Sequence, residues 1–116
     1  MKIVTKNEPV AVSELTEMAA RMFGGLVKAV VDVRQETMAI DADMHADQEQ
    51  ELLEVGSRQA DLWGINLYPE LFATEDFIEF DSMINIRPVQ ENLSRSVEDE
   101  GRRAEIVRVV GELVKA

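Results

Sequence analysis

No cysteine occurs in the 116 residues. That removes disulfides, thiolate nucleophiles and Cys-based zinc sites, and it fits a reducing, cytoplasmic compartment. Histidine, tryptophan and tyrosine occur once each, so any imidazole chemistry falls to His45. No apolar run approaches the ~20 residues that a membrane span requires. The first residues, with Lys2, Lys6, Asn7, Glu8 and Pro9, have no signal-peptide apolar core. The expectation is a cytoplasmic protein with no membrane contact. Bases are scarce in the middle of the chain, where thirteen acids stand between Gln35 and Ile86 against one base, Arg58. With a net charge of −11, the field repels phosphate backbones, so no nucleic acid partner is expected.

What is present is a set of short periodic stretches that together make one domain over residues 1–116. A chain of this length buries roughly two-thirds of its unfolded surface and needs no staple. Leu15, Met18, Ala19 and Met22 form a helical stripe, with Ser13 as N-cap and Gly24-Gly25 as the stop. From Leu26 the β-branched density rises, and Val27, Ala29, Val31 and Val33 alternate as a strand. Arg34-Gln35-Glu36 turns the chain, and Thr37 to Asp41 returns with Met38 and Ile40 inward. Ile3 and Val4 add a short edge strand. Asp43 to Gly56 reads as a short acidic helix capped near Asp41 or Asp43. Asp61 to Tyr68 alternates as another strand, which Pro69 ends by removing a ladder donor.

The second clear alternation is Phe77 to Pro88. Ile78, Phe80, Ser82, Ile84 and Ile86 fall on one side and Glu79, Asp81, Met83, Asn85 and Arg87 on the other, as in a half-buried strand. Residues 89–100 are polar and aperiodic. A last helix, starting near Val97 to Gly101, carries Ile106, Val109, Val110 and Leu113 on one stripe. The fold expected is α+β: an antiparallel sheet of four or five strands in two hairpin-like pairs. The first and last helices pack on one face, and the acidic helix lies between the pairs.

If the two central strands pair, Asn66, Tyr68, Glu79, Asp81, Asn85 and Arg87 share an exposed sheet face. Arg87 then leads into a loop with Gln90, Asn92 and Arg95. A guanidinium among amides can fork onto a carboxylate or phosphate, so the candidate ligand or partner site is Asn66, Tyr68, Asn85, Arg87, Gln90, Asn92 and Arg95. The competing role for Arg87 is a counter-ion to Glu79, Asp81 or the acidic helix. His45, at a helix start where the dipole disfavours its cation, is the candidate base. Asp47, Glu79 and Asp81 are the carboxylates that could join it. No GxSxG turn, HExxH pair or phosphate loop is present. No cofactor is expected, and a metal would find only His45 with Asp47 or the strand carboxylates.

The combination His45-Ala46-Asp47, Glu49, Leu52-Leu53-Glu54, Gly56-Ser57, Gln59, Asp61, Trp63-Gly64 and Ile84-Asn85-Ile86-Arg87-Pro88, then Gln90, Asn92 and Ser94, resembles a small prokaryotic family described as a domain of unknown function. The resemblance covers nearly the whole chain and implies no activity, substrate or partner. On the residues themselves the expectation is a non-catalytic binding or interaction module, with a homodimer left open. The alternative is a small metal-assisted hydrolase built on His45 and the carboxylates near it.

Overall fold

Two β-branched runs joined by a turn make the centre of the sheet. In the computed structural model, which describes every residue except Phe23, strand β3 (Val27–Asp32) pairs antiparallel with β4 (Thr37–Ile40), Val31 facing Met38. The turn is fixed by Asp32. Its Oδ1 accepts the N–H groups of Arg34 and Gln35 at 2.9 Å, and its Oδ2 accepts the Ser57 hydroxyl at 2.6 Å. A buried carboxylate is thereby satisfied three times, the condition under which burying it is tolerable.

Strand β1 (Lys2–Val4) lies outside β4, and β5 (Leu62–Leu67) pairs with β3 over its full length. The last strand, β6 (Ile78–Glu79), meets β5 at Leu67 and Asn66. The order is β1-β4-β3-β5-β6, antiparallel throughout. Two further segments, β2 (Val10–Ala11) and β7 (Val114–Lys115), pair in parallel and tie the two ends of the chain together.

Alternation sorts the side chains into two clusters. Ala29, Val31, Met38, Ile40, Trp63, Ile65 and Leu67 share one with Leu15, Met18 and Ala19 of helix α1 (Val12–Ala20) and with Ile106, Val109, Val110 and Leu113 of α3 (Glu100–Leu113). Val30, Ala39 and Leu62 share the other with Leu52 of α2 (His45–Glu54). The α+β class, the five-stranded antiparallel sheet and the three helices agree with the sequence reading.

Several boundaries differ. Helix α1 is preceded by Ala11, not capped by Ser13, and ends at Ala20. The helical stretch expected up to Gly24 includes Phe23, which lies outside the described residues. Met44 precedes α2, so neither Asp41 nor Asp43 caps it.

The largest correction is at Phe77 to Pro88, where the strand ends at Glu79 and the chain turns over β5. Ser82 passes so close to Gly64 that a Cβ there would stand 2.5 Å from both Cβ and Oγ of Ser82. The Ser82 hydroxyl then accepts Ile84 N–H at 3.3 Å and caps a 3₁₀ turn, Met83–Asn85. With the strand gone, side chains take over its ladder. The Asn85 carboxamide accepts Gly64 N–H at 2.8 Å and donates to Gly64 C=O at 2.9 Å, while the Arg87 guanidinium donates to the carbonyls of Gln59 and Leu62. The exposed platform expected of Asn85 and Arg87 is therefore not formed: both are buried, and each turns a donor onto the open edge of β5, at Gly64 O and Leu62 O.

Candidate functional site

Helix α2 stands on the second face of the sheet and is anchored at both ends. Leu52 packs on Val30, Ala39 and Leu62, and Gln48 donates to the Lys28 carbonyl at 2.8 Å. Its first residue, His45, reaches Ile65 O with Nε2 at 2.7 Å. A carbonyl only accepts, so Nε2 carries the hydrogen and the neutral ring presents Nδ1 as an acceptor. Burial pushes the His45 pKa below its ordinary value, with Lys28 and Arg95 acting the same way. The bond to Ile65 O and the Asp81 charge oppose the shift.

Around His45 is a cavity of ≈ 200 Å³ lined by Lys28, Met44, Ala46, Asn66, Asp81, Ser82, Met83, Ile84 and Arg95. Asp81 is held by Arg95 at 2.7 Å. Asn66 donates through Nδ2 to Glu79 Oε1 at 2.8 Å and to Asp81 O at 3.3 Å, while its Oδ1 is buried and has no partner. No side chain caps the start of α2, so the first amides of the helix, at His45 and Ala46 beside the cavity, have no intrahelical acceptor. The site is thus two cations, one paired carboxylate, a neutral imidazole and a helix N-terminus, walled by methionine and isoleucine. Its local balance is positive in a molecule whose total is −11.

Of the residues singled out from sequence, His45, Asn66, Asp81 and Arg95 meet on this cavity. Tyr68 and Glu79 adjoin it through Asn66, since the Tyr68 hydroxyl donates to the same Glu79 oxygen at 3.1 Å. Burial and Glu79 raise the Tyr68 pKa. Asp47 is exposed on α2 and does not line the cavity. Among the described residues no group of three His, Asp or Glu side chains converges as metal ligands would.

Asn85, Arg87, Gln90 and Asn92 turn inward. Gln90 donates to Ala60 O at 3.0 Å, and Asn92 donates to the carbonyls of Asn85, Ser94 and Ser96 while accepting Glu98 N–H. Arg87 also lies over the fully buried Trp63 ring at 4.1 Å, with Arg102 at 4.7 Å. Its hydrogen-bond partners are carbonyls rather than Glu79 or Asp81, so the counter-ion role to the strand carboxylates is not what is built; the carboxylate whose charge acts on it is Glu49 of the acidic helix α2. Lys28, Met44 and Met83 are lining residues that the sequence did not mark as part of the site. Only the register that sets Lys28 opposite Asn66 would have found the lysine.

A larger groove of ≈ 440 Å³ runs between Phe72, Phe77, Phe80 and the α3 residues Val107 and Val110. Thr74 and Glu75 are the polar side chains on its wall, so it offers shape but little chemistry.

The whole of this cavity and of the inward-turned loop falls inside one sequence match. The chain belongs to the protein family of unknown function DUF5674, whose model covers residues 2–113. The DUF5674 match takes in every strand of the main sheet and all three helices, and leaves out only β7 beyond Leu113. No curated protein and no solved structure matches the chain.

Proposed function

We propose that this DUF5674 protein is a cytoplasmic, non-catalytic binding module, and that its ligand is a small carboxylate held in the His45 cavity. The observation that carries the reading is the convergence of Lys28, Arg95 and the uncapped N-terminus of α2 on one small polar cavity. Donors and positive ends of dipoles favour an anion there, against the field of an otherwise acidic molecule. Asp81 orients Arg95 rather than neutralising the whole site, because Lys28 has no carboxylate partner among the ion pairs of the described residues. The absence of cysteine supports the compartment.

The test is a titration with propionate followed by amide and side-chain NMR shifts. Saturable shifts at Lys28, His45, Ala46 and Arg95, weakened at least tenfold in Lys28→Met and Arg95→Met, are expected for charge-assisted hydrogen bonds. Shifts confined to the groove beside Val107 and Val110, or none up to high millimolar concentration, would remove the reading.

One observation favours a second reading, in which the protein is a small enzyme. His45 and Asp81 share the cavity, and a neutral imidazole with a free Nδ1 can take a proton. Turnover of any ester or amide substrate that disappears in His45→Gln, with folding intact, would establish it over simple binding.

A further inference from the structure

The carboxylate reading uses the charged wall of the His45 cavity and leaves its apolar wall without a role. Met44 is 57 % exposed and Met83 is 65 % exposed, and both line this cavity. Ile84 lines it with them, half-buried and packed on the Leu52 cluster. Met44 directly precedes α2, and Met83 opens the 83–85 turn, which packs against that helix. Both elements are fixed, α2 by Leu52 and Gln48 and the turn by the bonds of Asn85 to Gly64. Thioethers are flexible and polarizable, and exposed ones suit surfaces that accept apolar groups of varied shape. The charge beside them says what kind of molecule would cover them, since small-molecule sites combine an apolar wall with a few polar groups.

Resting on the proposed carboxylate reading, we infer that the ligand is a small monocarboxylate with an apolar tail: its carboxylate meets Lys28 and Arg95, and its tail lies against Met44, Met83 and Ile84. The charge in the cavity matches a single carboxylate. Asp81 already offsets one of the two cations through its 2.7 Å pair with Arg95, and His45 is a neutral ring bonded to Ile65 O. A second carboxylate would have to lie against the apolar wall, where it would lose water without gaining a partner. The volume of ≈ 200 Å³ equals about seven water volumes at about 30 Å³ each, which is room for a head group and about four carbons. The tail is selected for length and apolar character rather than for one shape, because the thioethers adapt to it.

The experiment is a calorimetric titration with acetate, propionate, butyrate and pentanoate, with succinate and pentan-1-ol as controls. Affinity is expected to rise about threefold with each added methylene, as burial of CH₂ groups gives, so pentanoate should bind about tenfold or more above acetate. Pentan-1-ol keeps the tail without the charge, and succinate sets a second charge where the tail would lie; both should bind more weakly than pentanoate. In the double variant Met44→Gln, Met83→Gln, made at two exposed positions, the rise per methylene should fall by about half or more, because two of the three tail contacts become polar. Equal affinity of acetate and pentanoate overturns the tail and leaves the carboxylate reading intact. So does succinate binding as tightly as pentanoate, or a rise per methylene that the double variant does not lower. Pentan-1-ol binding as tightly as pentanoate overturns the carboxylate reading and the tail with it, and binding by none of the acids does the same. If the double variant does not fold, the wild-type ε-methyl NMR signals of Met44 and Met83 decide: they should shift more with pentanoate than with acetate, and equal shifts overturn the tail.

Discussion

At the scale of single residues, three side-chain amides do different work. Asn85 acts as a piece of backbone: its carboxamide presents an acceptor and a donor at the positions where a continuation of β6 would have met Gly64. Asn92 gathers three carbonyls of its own loop. Asn66 is satisfied at one end only, as is the fully buried Gln48, and of these two Asn66 is the one on the wall of the His45 cavity. His45 is distinguished by being kept neutral, and this has a consequence for stability. In the unfolded chain histidine titrates near its ordinary value of about 6.5; in the folded protein burial holds it lower. Between those two values the unfolded chain binds a proton that the folded chain refuses. The stability contribution is therefore fully present above about pH 6.5 and is lost as pH falls toward the folded pKa. His45→Gln keeps a donor for Ile65 O and does not titrate. Urea unfolding from pH 7 to pH 5 is expected to show the wild type losing stability relative to His45→Gln, by at most about 1.4 kcal/mol per pH unit. A constant difference across that range would mean that the folded imidazole charges freely.

At the scale of elements, the sequence was legible wherever the pattern came from burial on a sheet or helix face. The alternation of Val27 to Val33, the return at Thr37, the stripe of α3 and the stop at Pro69 all report such faces. It misled at Ile78 to Arg87, where the same alternation arises from a tight turn laid across β5. The missing cue was tertiary. Gly64 sits in a strand interior, and a glycine there often marks a close backbone approach, but nothing local says that Ser82 is what approaches. The site was half legible for the same reason: residue type picked out His45, Asn66, Asp81 and Arg95, while Lys28 belongs to it only through strand register. The close approach is testable in itself. Gly64→Ala puts a methyl 2.5 Å from Cβ and Oγ of Ser82 and is expected to cost about 1–3 kcal/mol, the usual range for overpacking. Ser82→Gly removes both clashing atoms. The double variant should therefore be more stable than the sum of the single losses predicts, with a coupling above about 0.5 kcal/mol. Additive losses in chemical denaturation would show that the 82–85 turn moves aside freely.

At the scale of the whole molecule, like-charge repulsion is the interaction that the fold leaves uncompensated. The ion pairs of the described residues engage Glu14, Glu36, Asp41, Asp61, Asp81 and Glu112, a minority of the 23 acids. They are exposed or half-exposed, and pairs of that kind contribute little each. The result is a net −11 on a body of 37 × 28 × 25 Å. At 0.01 M salt the screening length of about 30 Å is comparable with those dimensions, so most of the unpaired carboxylates repel one another across the fold. At 0.15 M it is about 8 Å, and only neighbours interact. The unfolded chain spreads the same charges further apart and is relieved less by salt. Sodium chloride between 0.01 and 0.15 M should therefore raise the thermal midpoint. The pairs made by Glu36 with Lys6 and Arg108 work in the opposite direction, since screening weakens them. Glu36→Gln removes those attractions along with one acid, and should make the salt-induced rise steeper than in the wild type. A midpoint that falls with salt in the wild type would mean that local pairs outweigh the net repulsion, and the acidic middle of the chain would then have to be read as paired rather than as a solvated surface.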